Sequence, residues 1–184
     1  MTFSITARCP DTGQFVYFMP MEAGAKRDYS TPEDSFWCCV GSGMESHAKH
    51  ADSIYWRDGS TLFVNLFIPS RLDWEGMGLE LETAFPFSDR VTLRVVRPSP
   101  SRRDIALRLP GWCAEPLLAL NGKPVTVTRR DGYAIFRRDW AVGDRIDLTP
   151  PMALKVEPTP DDPTMVAYTH GPLVLAADLG PATA

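Results

Sequence analysis

From Asp52 onward the chain breaks into short apolar runs divided by turn signals, and this spacing constrains the fold more than any other feature. "SIYW" and "TLFVNLFIP" flank "RDGS", a hairpin signature, and "LELETAF" and "VTLRVV" flank "PFSD". "DIALRLPGW", "PLLALNGKPVTVT" with a tight turn at Asn121-Gly122, "YAIFRRDW", "DRIDLTPP", "ALKVEP" and "MVAYTHGPLVLAADL" follow. No crossover helices intervene, so the pattern predicts an antiparallel β-sandwich and not a parallel α/β sheet. Apolar and polar residues swap sides along "AIFRRDW" and "RIDL", as half-buried strands require, whereas "LFVNLFI" is nearly continuous and is expected at the centre of a sheet. The 17 prolines fall mainly between strands or at their ends, where a missing N–H does no harm to the ladder.

The chain ahead of Asp52 reads differently. "GQFVYFMPM" is a short extended piece closed by Pro20, and "EAGAKRDYSTPEDS" is a polar, turn-rich loop. Ser42 and Glu45 then form S-x-x-E, a capping box that opens a helix running to about Ala51. The expected organisation is a short helical portion over residues 1–51 and a β-sandwich over residues 52–180.

Between loop and helix stand Cys38 and Cys39. The four cysteines, at 9, 38, 39 and 113, do not form a disulfide framework. Adjacent Cα atoms lie about 3.8 Å apart, below the range of roughly 4.4 to 6.8 Å that a disulfide spans. Two thiols just ahead of a helix N-terminus sit where free N–H groups and the helix dipole favour an anion, which lowers their pKa and suits them to metal binding or nucleophilic chemistry. Two small buried hydrophobes explain the pair as well, since free cysteine is among the most buried residue types. Spacing alone leaves both readings open, with burial slightly ahead.

Net charge narrows the partners. A formal charge of -4 and a pI near 5.4, with scattered Lys and Arg, give no basic footprint for nucleic acid. No apolar run approaches the ~18 residues a membrane span requires, and "MTFSITARCPDTGQF" lacks a charged stretch followed by an apolar one. The chain as given therefore reads as soluble and unsecreted, with no membrane partner.

"STPEDSFWCCVGSGMESHAKHADSIYW", with "LFVNLFIPSRLDW", "LPGWC", "LALNGKPV" and "YTHGPLVLA", closely resembles the β-L-arabinofuranosidases of glycoside hydrolase family 127 and relatives such as family 146. The resemblance runs over essentially the whole chain and is most specific at the vicinal cysteines. It implies an (α/α)6 catalytic barrel followed by β-sandwich domains, Cys38 as nucleophile and zinc ligand, and Cys39 as a second zinc ligand. The glutamate and third cysteine that complete the zinc site, and the acid/base glutamate, have no matching motif here. Such a barrel needs about twelve helices of roughly 11 residues each, and this sequence offers one. Residues 1–51 are thus expected to be the last edge of the barrel, and the chain a C-terminal fragment of a bacterial enzyme located in cytoplasm or periplasm, inactive without the missing N-terminal barrel. The implied substrate is an arabinose-containing oligosaccharide or glycan.

Other residues have plainer explanations. Glu45 is explained by its capping box with Ser42 before any acid/base role. His47 and His50 share a helical face and could join Cys38 and Cys39 in a local Cys₂His₂ zinc site, the least favoured alternative. Cys9 matches no ligand motif, Cys113 is expected to pack, and His170 precedes a Gly-Pro turn without a visible partner. Most of Trp37, Trp56, Trp74, Trp112 and Trp140 should be core; Phe36 and Trp37, flanking Cys38, are the candidates for lining a sugar pocket. The competing function is a non-catalytic β-sandwich that binds carbohydrate or braces a neighbouring domain.

Overall fold

The computed structural model describes residues 51–177 continuously and, ahead of them, Asp11, Thr12, Gln14, Tyr29, Ser30, Thr31, Asp34, Glu45, Ala48 and Lys49. The chain divides into two compact units, Ser53–Leu175 and a second made of Met1–Asp52 with Ala176–Ala184. In the latter, Asp34 N donates to Thr31 Oγ1 at 3.1 Å, and Asp52 N donates to the Lys49 carbonyl at 3.0 Å. Glu45 and Ala48 are helical and exposed. The rest of the expected helix, including its cap Ser42, lies outside the described residues, as does Pro20 with its extended piece.

Ser53–Leu175 is built from strands. One sheet orders five of them: β1 (Tyr55–Asp58), β2 (Thr61–Val64), β6 (Arg103–Arg108), β10 (Tyr133–Arg138) and β9 (Thr128–Arg130). A second orders six: β3 (Ser70–Trp74), β4 (Met77–Thr83), β5 (Val91–Arg97), β11 (Arg145–Thr149), β7 (Leu117–Leu120) and β8 (Lys123–Pro124). Every pairing is antiparallel except β2 with β6, which run parallel because the chain leaves β2, builds β3 to β5 in the other sheet, and returns. A third, three-stranded sheet of β12 (Leu154–Pro158), β13 (Val166–His170) and β14 (Leu173–Leu175) follows.

Period-two alternation makes the core. Leu62 and Val64, Ile105 and Leu107, and Ala134 and Phe136 point inward from the five-stranded sheet; Met77, Leu79 and Leu81, Val91, Leu93 and Val95, and Ile146 and Leu148 answer from the six-stranded one. Register aligns them in rows: Leu81 faces Leu93, which faces Ile146, and Leu62 faces Ile105, which faces Phe136. Each fully buried Leu, Ile or Phe contributes about 1.5–3 kcal/mol of transfer free energy. The antiparallel sandwich expected from the strand spacing is therefore present.

Three details differ from that expectation. "TLFVNLFIP" is a four-residue strand, second from the sheet edge, and not a long central one. After Val64 the chain turns across to the other sheet, with Asn65 N bonded to the Ile54 carbonyl at 2.8 Å, and Phe67 drops into the core. "RLDWEGMGL" hides β3 and its hairpin with β4, whose turn places Glu75 at φ 46° and Gly76 at φ 87°. The last three strands pair only with one another, so the sandwich closes with β11.

Candidate active site

Cys38, Cys39, Phe36 and Trp37 lie outside the described residues, as do Cys9, His47 and His50. Glu45 is exposed. Among the described residues no group of three or more His, Cys, Asp or Glu is placed to hold a metal, and no helix is long and apolar enough to cross a membrane.

The remaining candidates have settled environments. Cys113 is a half-buried free thiol between β6 and β7; burial pushes its pKa up, against the opposing pull of a backbone hydrogen bond at Glu115 and the positive charges of Lys155 and Arg129. A thiol held protonated is a poor nucleophile, which agrees with packing as its role. His170 is exposed at the end of β13. Trp140 is buried, and its Nε1–H donates to the Arg103 carbonyl at 2.7 Å. Trp74 carries the Arg103 guanidinium over its ring at 4.6 Å, and Trp112 stacks on Phe85 at 6.5 Å with 10° between the planes. Trp56, on the edge strand β1, departs from the expectation of burial: it is 59% exposed and offers an open ring.

Sequence reading did not single out the polar groups that organise the sandwich. Asp144 is buried between the β10–β11 turn and the β7–β8 hairpin, where Oδ2 accepts from Ala141 N at 2.8 Å and Oδ1 from Asn121 Nδ2 at 2.8 Å. Burial opposes its ionisation, but the Ala141 N–H, the Asn121 amide and the Arg138 guanidinium outweigh it, so the pKa sits below the usual carboxylate value. Asn121 in turn accepts from Arg145 N through Oδ1 at 2.8 Å. The local signal was the Asn121-Gly122 turn, which announces a hairpin and not the partner that fixes it.

A shallow cleft on the outer face of the six-stranded sheet is lined by Leu117, Pro124, Thr126, Arg129, Asp147 and Thr149. Its charged groups are already committed. Asp147 accepts from Thr92 Oγ1 at 3.0 Å and Arg145 Nε at 2.8 Å, and Arg129 donates to the Pro116 carbonyl at 3.3 Å. The cleft is therefore a stitched sheet surface.

Comparison with known families gives two adjacent matches. A model of the GH127 β-L-arabinofuranosidase catalytic domain matches residues 4–52, the segment that contains Cys38 and Cys39, and one of the GH127 middle domain matches residues 61–152. Among solved structures, a GH127 β-L-arabinofuranosidase from Geobacillus stearothermophilus T6 is 26% identical over 92% of this chain and 30% of its own, with a TM-score of 0.72. A second GH127 β-arabinofuranosidase is 22% identical over 92% of this chain and 30% of its own, with a TM-score of 0.75. A structure described as a glycoside hydrolase is 20% identical over 88% of this chain and 30% of its own, with a TM-score of 0.72. The latter two show likeness of fold alone. Comparison with curated proteins gives no match. The chain spans about 30% of the length of the solved structures it matches. With the middle-domain match alone spanning residues 61–152 of 184, the chain belongs to the GH127 β-L-arabinofuranosidase family.

Proposed function

We propose that this chain is part of a retaining, zinc-dependent β-L-arabinofuranosidase, in which residues 1–51 belong to the edge of the helical catalytic barrel and residues 52–180 to the β region that follows it in sequence. One observation carries the reading: the catalytic-domain match over residues 4–52 encloses the Cys38-Cys39 pair and gives way to the middle-domain match at residue 61. The fold of Ser53–Leu175 supports it, since its likeness to GH127 structures extends over nearly the whole chain.

Cys38 is the nucleophile. Its thiolate Sγ attacks the anomeric carbon as the glycosidic C–O bond breaks, and a carboxylic acid elsewhere in the parent protein gives its proton to the leaving oxygen. Water, losing a proton to the resulting carboxylate, then attacks the same carbon from the opposite face; the C–S bond breaks and the thiolate returns. Two inversions give net retention. Cys39, held beside Cys38 by one peptide bond, is the second sulfur donor.

Cys38 and Cys39 would hold zinc through two soft sulfur donors, and zinc bound there would keep the sulfur deprotonated at neutral pH. The other ligands and the proton donor belong to the part of the parent outside this sequence, so the chain alone is predicted to be inactive. Phe36 and Trp37 flank the nucleophile and are suited to packing against the sugar ring. The substrate on this reading is an arabinose-containing oligosaccharide or glycan.

Substitution of the nucleophile in the longer parent is the test. Cys38→Ser should lower kcat/KM for a β-L-arabinofuranoside by on the order of 10⁴-fold or more, with zinc content reduced in parallel. Undiminished turnover would overturn the assignment. Arabinoglycan binding by the 184-residue chain that survives a Cys38→Ser/Cys39→Ser double substitution would favour a carbohydrate-binding accessory role instead.

A further inference from the structure

The Asn121-Gly122 turn that joins β7 to β8 carries a chemistry of its own. Of the two asparagines, Asn65 and Asn121, only the second is followed by glycine. Gly122 has no Cβ, so its backbone N is open to approach by the preceding side chain. Attack of that N on Asn121 Cγ forms a C–N bond and breaks the side-chain one. Ammonia leaves, carrying the proton lost by Gly122 N, and a five-membered succinimide remains. Water opens the ring at either carbonyl and leaves aspartate or isoaspartate at position 121. In sum, an amide and water give an acid and ammonia, with no oxidant, metal or enzyme involved.

The turn sets how freely this can happen. Leu120 pairs with Lys123 across the two residues, and φ is 53° at Asn121 and 77° at Gly122, as a type I′ hairpin requires. Both residues are exposed to water, and Gly122 N has no acceptor among the described residues. The carboxamide, by contrast, is engaged at both ends. Its Nδ2 donates to Asp144 Oδ1 at 2.8 Å and its Oδ1 accepts from Arg145 N at 2.8 Å, while Asn121 N donates to the Arg145 carbonyl at 2.8 Å. Asp144 is itself buried and anchored by Ala141 N. Bringing Cγ onto Gly122 N requires the side chain to rotate, which breaks both of its hydrogen bonds. The nucleophile is free and the carbon it must reach is restrained.

We propose that Asn121 is a self-modification site: Asp144 and Arg145 N hold its deamidation off in the folded domain, and the modification, once made, releases the β7–β8 hairpin from the β10–β11 turn. The product cannot resume the lost place. Aspartate at 121 sets an oxygen where the Nδ2 donor stood, 2.8 Å from Asp144 Oδ1, and two carboxylates that close repel when both are ionised. Isoaspartate adds a backbone methylene to a two-residue turn whose length sets the register of Leu120 against Lys123. A local opening is thereby made permanent, and the site limits the lifetime of the domain. The inference concerns the sandwich alone and stands apart from the role of Cys38.

The test incubates the 184-residue chain at neutral pH and follows residue 121 by peptide mass mapping, as conversion of amide to acid. In the folded wild type, conversion should be at least about tenfold slower than in the chain unfolded in urea. Asp144→Ala, checked as folded by circular dichroism, should convert about tenfold faster than wild type, the scale of one hydrogen bond to a charged group. Leu93→Ala weakens the core and leaves the Asp144 contact intact, so its rate should stay well below that of Asp144→Ala. The proposal is overturned if folded wild type converts as fast as the unfolded chain, or if Asp144→Ala matches wild type. It is overturned as well if Leu93→Ala matches Asp144→Ala, because global unfolding would then set the rate. Should Asp144→Ala not fold, Asp144→Asn takes its place, with a severalfold rise expected and an unchanged rate refuting the proposal. Asn121→Asp, the product itself, should unfold at a lower urea concentration than wild type, and an unchanged midpoint would refute the release of the hairpin.

Discussion

Replacing Asp144 by Ala tests how the β10–β11 turn is held to the β7–β8 hairpin. The carboxylate accepts two hydrogen bonds of 2.8 Å, from Ala141 N and Asn121 Nδ2, and sits 3.3 Å from Arg138 Nη2. A hydrogen bond to a charged group contributes about 1.5–3 kcal/mol net. Arg138 is partly in solvent and adds little. Truncation leaves two donors without an acceptor, and water entering the gap recovers part of the loss, which puts the cost at about 3 kcal/mol against a total stability of roughly 5–15 kcal/mol. With a urea dependence of about 2 kcal/mol per M, the unfolding midpoint should fall by roughly 1.5 M. Asp144→Asn should fall between the two, since its amide oxygen satisfies one donor while its NH₂ faces the other. A midpoint drop below about 0.3 M for Asp144→Ala would refute the assignment, because the two bonds would then be worth no more than their exchange with water.

The same residue predicts a pH signature. Its folded pKa is depressed, so its contribution is fully present above the unfolded value of about 3.9 and is lost as pH falls through the folded pKa. The stability gap between wild type and Asp144→Ala should therefore be flat from about pH 5 to pH 8 and should narrow only below about pH 3.9. A gap that narrows on the alkaline side instead would mean that the charged form is not the stabilising one.

Three further outcomes follow from the packing. Leu93→Ala, at the centre of the six-stranded sheet between Leu81 and Ile146, should cost about 2–5 kcal/mol in urea unfolding, and a loss below 1 kcal/mol would deny that the two sheets share a packed core. Gly171→Ala meets a φ of 58° and places Cβ 2.9 Å from Met152 Cγ, so it should lower stability by about 1–2 kcal/mol; an unchanged melting temperature would argue against that turn geometry. Cys113, its pKa raised by burial, should be alkylated slowly at pH 7 with a rate inflection above the ordinary thiol value of about 8.5, and an inflection at or below that value would contradict its environment.

Much of the sandwich was legible because its signals are local. Gly59 and Asn121-Gly122 take the positive φ values that their hairpins demand, and alternation in "AIFRRDW" and "RIDL" marks which side of each strand is buried. The β3–β4 hairpin was not legible, because Glu75 occupies a left-handed position that Asn or Asp usually fills. The length of β2 was also misjudged. "LFVNLFI" is apolar throughout since it lines the core twice, first as a strand and then as the crossing between sheets, and burial alone does not tell those two states apart. Which strands join which sheet depends on pairings between residues far apart in sequence. The parallel β2–β6 pair, and the separation of β12–β14 from the sandwich, both belong to that class.

The candidate site was singled out on a different ground. Nothing in the spacing of Cys38 and Cys39 distinguishes a thiolate pair from two buried thiols; what singles them out is the wider motif, which the catalytic-domain match over residues 4–52 now encloses. A nucleophile can be recognised from its own neighbourhood, because the strand, turn or helix that presents it is local. Its proton donor and remaining metal ligands are brought to it by tertiary structure, and in a chain that spans 30% of its relatives they need not be present at all.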